Sequence, residues 1–464
     1  MRNGRISVHI DRVGGTLLAL TLLALTLGFI APIASATVWN VNADGTGDQP
    51  TIQAAIDAAA SGDTVLVFPG TYAEHCQIDA KRLVIQGQDG AETTILDGQL
   101  SGRVLVIHSG EVLLQGLTIE NGVKTGIEVD NQGAGVAAFQ SYLHIVDCVF
   151  QANAAALGGA VHVSSFSAPE GPSLEPKQEI LTELLVENTM FLNNIATDAG
   201  GGLHSDVVPT TLIDCTFQGN HAGQIGGGAD FLHADQHLTR CRFESNNAFS
   251  GGGVSWSGNG VMSLDQVVFK SNLAQNFGGG LWAMSATQIL FDHVWFLENH
   301  ADRGGGAYLS HVGASGARSL WRGNGAIARG GGLYLEQAVD GEFDVSTWMN
   351  NTSPTGAAIF ADGGDIHLVS SIVGEEVGSA VSCTGGTNAT SACTVGGLTT
   401  SGCLAFVARA AINGCDSTPE FLCSIPSPAG CGPVGHATEE CPPGACPTPV
   451  QIVSWGLLKA RYLK

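Results

Sequence analysis

The sequence predicts an all-β chain: a right-handed parallel β-helix solenoid with an N-terminal capping helix and a Cys-rich C-terminal end segment. Three observations carry that expectation. One phrase, aromatic-x-x-Asn followed by Gly-Gly-Gly and a small or aliphatic residue, is repeated six times between Phe191 and Leu333. Its aromatic recurs every 26, 26, 26, 27, 25 and 27 residues from Phe191 to Trp348, and a period of that size marks a stacked array. Within each copy, apolar residues alternate or come in threes while Gly and Asn interrupt them, so no helical period survives.

A coil of three short strands needs about 22–27 residues at ~3.3 Å per residue, and successive coils pair in parallel about 4.8 Å apart. Parallel crossovers take the right hand. Each position of the phrase then becomes a file running along the molecule. Phe217, Phe243, Phe269 and Phe296 are expected to stack inside, as are Leu203, Val254, Leu281 and Leu333. Asn194, Asn220, Asn246, Asn272, Asn299 and Asn324 are expected to form a ladder at one turn, where Asn tolerates left-handed backbone and its amide bonds the coils on either side. The glycines permit turns and close approach.

Taken in order, the chain opens with Arg2, Arg5 and Arg12, an apolar run from Thr16 to Ile30, and Ala34-Ser35-Ala36. This pattern reads as a signal peptide over 1–36 and an exported, extracellular or surface protein. The formal charge of −23 becomes −25 once three Arg and one Asp leave with that segment. Such a surface excludes nucleic acid and anionic membrane as partners, and no later stretch has the length of a transmembrane helix. The β-helix is expected over 37–375. Its cap falls at about 37–63, where Ile52, Ala55, Ile56 and Ala59 share a helical face behind Thr51 as N-cap. A solenoid must cover its first coil. Regular repeats run over about 143–360, and the 41-residue step from Phe150 to Phe191 requires a loop at 164–180. Cys148, Cys215 and Cys241 each stand two before the repeat aromatic or its equivalent, in one inward file, and read as buried free thiols. Eight further cysteines from Cys383 to Cys446 indicate a disulfide-stapled end segment over 376–449, followed by a tail over 450–464.

The run Gly47-Asp48, Thr51 to Asp57 and Gly62 to Tyr72 resembles the entry segment of bacterial β-helix proteins with the pectate-lyase-like fold. The F-x-x-N and G-G-[ALIV] phrases resemble repeats of the polymorphic outer membrane proteins, a family of surface adhesins. The resemblance implies the fold, and a role in adhesion or in acting on polysaccharide. The membrane barrel that usually ends the adhesins has no counterpart after these repeats.

No catalytic set stands out: there is no Asp-Asp, Gly-His-Gly or Arg-Ile-Lys. Calcium is the one cofactor with candidate ligands, in Asp44, Asp48, Asp362 and Asp365, with Arg303, Arg322 and Arg329 near turns. Neither a metal site nor a catalytic residue is assigned. If Leu203, Ala229, Val254, Leu281, Ala307, Leu333 and Ile359 face inward, the next residue of each strand faces out. That outward file ends in Trp282, Tyr308, Tyr334 and Phe360, four rings 26 residues apart. Exposed, they form a candidate binding surface for a polysaccharide or cell-surface glycan; the other reading is a ladder of rings that stabilises the sheet or lies under the end segment. The expected function is adhesion or polysaccharide binding without catalysis. The alternatives are a polysaccharide lyase or glycoside hydrolase of this fold, and a structural extracellular spacer.

Overall fold

In the computed structural model, residues 36–408 are described apart from 125–130, 167–181, 338–340, 364, 370, 375–378, 385–387, 393–399 and 402–404. The signal peptide before residue 36, the loop expected at 164–180 beyond its first three residues, and the chain after 408 with most of its cysteines lie outside the described residues.

The described chain from Val38 to Ala408 is a parallel β-solenoid. Its strands form four long sheets of 15, 13, 12 and seven strands, each ordered by the succession of coils. The coil containing Phe217 shows the cross-section. Thr210–Ile213 lies in the 15-stranded sheet, Thr216–Gln218 in the 12-stranded sheet, His221–Ala222 in the seven-stranded sheet and Ala229–Leu232 in the 13-stranded sheet. Turns between them use left-handed residues such as Asp214, Gly219 and His233. Parallel pairing continues past residue 375 to Ala405–Ala408, so the segment expected as a separate end piece begins as further coils.

The aromatic file is a continuous pile. Phe150, Phe191, Phe217, Phe243, Phe269, Phe296, Trp321 and Trp348 are fully buried, with successive centroids 4.0–5.3 Å apart and near-parallel planes. Parallel in-register pairing puts like above like. Burying each ring removes about 150–250 Å² from water.

The asparagine ladder is equally regular. Each Nδ2 from Asn153 to Asn324 donates to the Oδ1 of the Asn in the next coil at 2.9–3.1 Å. The same Oδ1 also accepts from the backbone N–H of the preceding Asn, as Asn246 does from Asn220. The second Nδ2 proton caps a carbonyl of the preceding coil, as Asn246 does for Phe217. These buried amides therefore meet their hydrogen-bonding demands side by side. One expectation needs correction: the ladder asparagines are not left-handed. The positive φ belongs to the residue before each, Asn193, Gly219, Ser245, Ser271, Glu298, Gly323 and Asn350, leaving Asn free to turn its amide inward.

Helix Ile52–Ala58 buries Ile52, Ala55 and Ile56 against Val38–Val41, Thr64–Val67 and Cys76–Asp79. Thr51 Oγ1 accepts from Ala54 N as expected, and Glu74, from the link between strands Gly70–Tyr72 and Cys76–Asp79, accepts from Ile52 N and Gln53 N at 3.0 Å each. The carboxylate thus sits on the first-turn donors. Cys148, Cys215 and Cys241 are free and buried, their thiols donating to backbone carbonyls, and burial pushes the Cys148 pKa up to about 12.

Candidate functional site

The predicted ring file is in register. Trp282 pairs with Tyr308, Tyr308 with Tyr334 and Tyr334 with Phe360, all on the outer side of the 13-stranded sheet. Its exposure is the second correction. Tyr308, Tyr334 and Phe360 retain 3%, 2% and 1% of their surface, and only Trp282 is half-buried.

The cover comes from the repeat itself. After each ladder Asn the chain makes a short excursion and returns through the glycines, passing over the outer file. A Cβ at Gly304, Gly330 or Gly356 would stand 2.9–3.0 Å from the Cβ of Tyr308, Tyr334 or Phe360. Each of these glycines has a positive φ of 64–67°, so both its conformation and its contact require the missing side chain. The residues ending the excursions close the gap: Phe277 lies 4.5 Å from Tyr308, and Arg303 and Arg329 sit over Phe277 and Phe360 at 5.8 and 4.8 Å.

Earlier coils fill the same file with polar groups. His162 stacks on His204, centroids 5.1 Å apart and planes 11° apart. His204 Nδ1 lies 2.8 Å from Asp230 Oδ2, and Ser255 Oγ donates to Asp230 Oδ1. All four are buried. Asp230 thus orients His204 as a carboxylate orients a general base, but Ser255 bonds the carboxylate rather than the imidazole, so no activated nucleophile results. Both nitrogens of His162 lack partners. Burial, followed by the neighbouring His204 and Arg103, holds its pKa well below the usual histidine value, so the ring is neutral.

A second network flanks the rings. Glu336 Oε2 accepts from Tyr308 Oη at 2.8 Å and Ser310 Oγ at 2.9 Å, with His311 Nδ1 2.9 Å from Ser310. Burial and then Glu336 raise the Tyr308 pKa, so the phenol stays protonated and donates. Glu336 pairs in register with Asp362, whose Oδ1 accepts from Thr384.

Three of the four candidate calcium ligands, Asp44, Asp48 and Asp362, have described side chains. Asp44 and Asp48 hold Thr46 and Asn40 near the entry, while Asp362 lies near the other end; the Asp365 side chain lies outside the described residues. His221 and His300 share a file three coils apart, as expected. Among the described residues, Asp265, Asp292 and His293 do converge, but Arg318 is ion-paired with Asp292. The polar half of the outer file was legible as the letters His204, Asp230 and Ser255. What was missed is that His162 precedes them and that all are covered. Apolar triplets such as Ala307-Tyr308-Leu309 and Ile359-Phe360-Ala361 carried that signal, because a strand buried on both faces loses its alternation.

No family model matches this chain, and no curated protein matches it. Among solved structures, the periplasmic alginate epimerase AlgG aligns at 13% identity over 71% of this chain and 77% of its own, with a TM-score of 0.34. The A-module of the Azotobacter vinelandii mannuronan C-5 epimerase AlgE4 aligns at 14% identity over 78% and 94%, with a TM-score of 0.33. The GH136 lacto-N-biosidase from Eubacterium ramulus aligns at 13% over 72% and 68%, with a TM-score of 0.29. At these scores they carry no inference about ligand or reaction.

Proposed function

We infer that this chain is an exported, right-handed β-solenoid that binds an extended polysaccharide outside the cell or at its surface. The observation that carries the reading is the state of Trp282. It is the half-open ring of its row, packed with Tyr308 on one side and paired with the small Ser255 on the other. An aromatic face held by a buried stack and open toward a small neighbour is a platform for a sugar ring. Export is supported by the basic, apolar and small-residue succession over 1–36, and adhesion by the repeat phrases that resemble surface adhesins. The test is binding to a panel of acidic and neutral polysaccharides. Trp282→Ala is expected to weaken the bound member at least tenfold while leaving the solenoid folded. Equal binding by wild type and variant would overturn the reading.

Turnover is the second reading, favoured by Glu336 and Asp362. In-register residues on adjacent parallel strands stand about 4.8 Å apart, close to the ~5–5.5 Å that retaining glycosidases place between their carboxyl groups. If wild type depolymerises the bound glycan and Glu336→Gln does not, this reading replaces simple binding. Unchanged polymer length after prolonged incubation rejects it.

A further inference from the structure

The geometry points to an acid-operated latch on the outer face of the 13-stranded sheet, in which the imidazole of His162, stacked on His204, holds that face closed while His162 is neutral and loosens it when His162 takes up a proton. His162 lies between Phe139 of the preceding coil, at 5.6 Å, and His204 of the following one, at 5.1 Å. It keeps 1% of its surface, and neither nitrogen meets a donor or acceptor. Burying such groups without partners is unfavourable, and a protonated ring there would add an uncompensated charge.

Among the described residues, the neighbouring groups give that charge no counter-ion. On its own strand His162 is flanked by valines, with Ser164 two residues on, and the preceding strand offers Ala137 and Phe139. The following strand brings His204, with Asp206 two residues beyond, and the titratable or charged groups felt at His162 are His204 and Arg103. Arg103 donates to the carbonyls of Gln132 and Gly133, so its positive charge stays in place. The nearest carboxylate along the file, Asp230, is already shared by His204 and Ser255. A proton on His162 would therefore stand beside His204 and the Arg103 cation with no carboxylate of its own among the described residues. The sign is set by linkage. A histidine whose pKa is lower folded than unfolded stabilises the closed face fully above about pH 6.5, and that contribution falls away as the pH drops below it. The inference does not depend on what the chain binds.

Amide exchange on the full chain tests it. Protection factors for strands Val161–Ser164 and Leu203–Asp206 are compared between pH 7.5 and 5 with those for Leu281–Met284, whose strand carries no titratable side chain. For one proton taken up on opening, protection at the first two strands is expected to fall about tenfold per pH unit below about 6.5, and hardly at all at the third. His162→Phe, which keeps a ring between Phe139 and His204, is expected to abolish the slope. Protection independent of pH, an equal decline at all three strands, or an undiminished slope in the variant would overturn the latch. If the variant does not fold, the imidazole nitrogen shifts of wild-type His162 decide: a neutral ring at pH 5.5 supports the latch, and a protonated ring in the closed protein overturns it.

Discussion

The 15-stranded and 13-stranded sheets are built from the same coils by the same parallel pairing, yet only one of them has an open side. In the 15-stranded sheet burial alternates along each strand, as in Glu183–Glu187 and Val261–Asp265, with Leu184, Val186, Met262 and Leu264 inside and the rest facing water. In the 13-stranded sheet every residue of Val136–Phe139, Val161–Ser164 and Ala307–Ser310 is buried. The difference lies in the path the chain takes after the ladder Asn. Among the described residues, no excursion lies against the first sheet, while the second is overlain in coil after coil by the Asn-to-Gly excursion. A parallel sheet covered on both sides needs side chains that pack on both sides. The early coils meet that need with stacked and hydrogen-bonded polar groups, and the later coils meet it with rings.

Removing the device that launches the cover should break this contrast most severely. Asn246→Ala leaves Asn220 N and one of the two Asn220 Nδ2 protons without an acceptor and takes a side-chain donor from the Phe217 carbonyl. At about 1–3 kcal/mol per buried orphan, a loss of roughly 3–5 kcal/mol is expected in denaturant unfolding. A loss below 1 kcal/mol would mean that the ladder is incidental. Next comes a direct comparison of outer positions on the two sheets. Tyr334→Ala should cost about 3–5 kcal/mol, as for a core aromatic, while Leu290→Ala, on the outer side of the 15-stranded sheet and 38% exposed, should cost no more than about 1 kcal/mol. Equal costs would erase the distinction. Tyr308→Phe removes one hydrogen bond to Glu336 while keeping the stacked ring, and about 1–2 kcal/mol is expected from the same measurement. Smallest of all is Arg240→Gln, which opens the exposed Arg240–Asp214 pair and should leave the melting midpoint unchanged within error.

The sequence made the interior legible because the interior repeats. A file of Phe and Trp at a 26-residue step has one packing solution, and the Asn file beside it has one way to satisfy its amides. The outer file was placed in the right register and on the right side of the strand but assigned the wrong surroundings. Alternation reports which way a side chain points, and it is silent on whether another piece of chain lies over it. The excursions are short and rich in Gly, Ala and Asn, which reads as turn. Their covering role depends on glycine contacts of about 3 Å that only coordinates display. His162 escaped notice for a related reason. It precedes the regular repeats by a 41-residue step, so spacing does not align it with His204, although the strands pair in register. Glu74 on the helix N-terminus was equally hidden, since it reaches there from a link between strands more than 20 residues away.

Every amide-to-amide bond of the ladder runs in the same sense, from the earlier coil to the later one, so each coil offers its successor what it received from its predecessor. A duplicated or deleted unit therefore meets matching surfaces above and below. Length in this architecture is adjustable in increments of about 4.8 Å, and the chain can behave as an extensible ruler whose span is set by copy number.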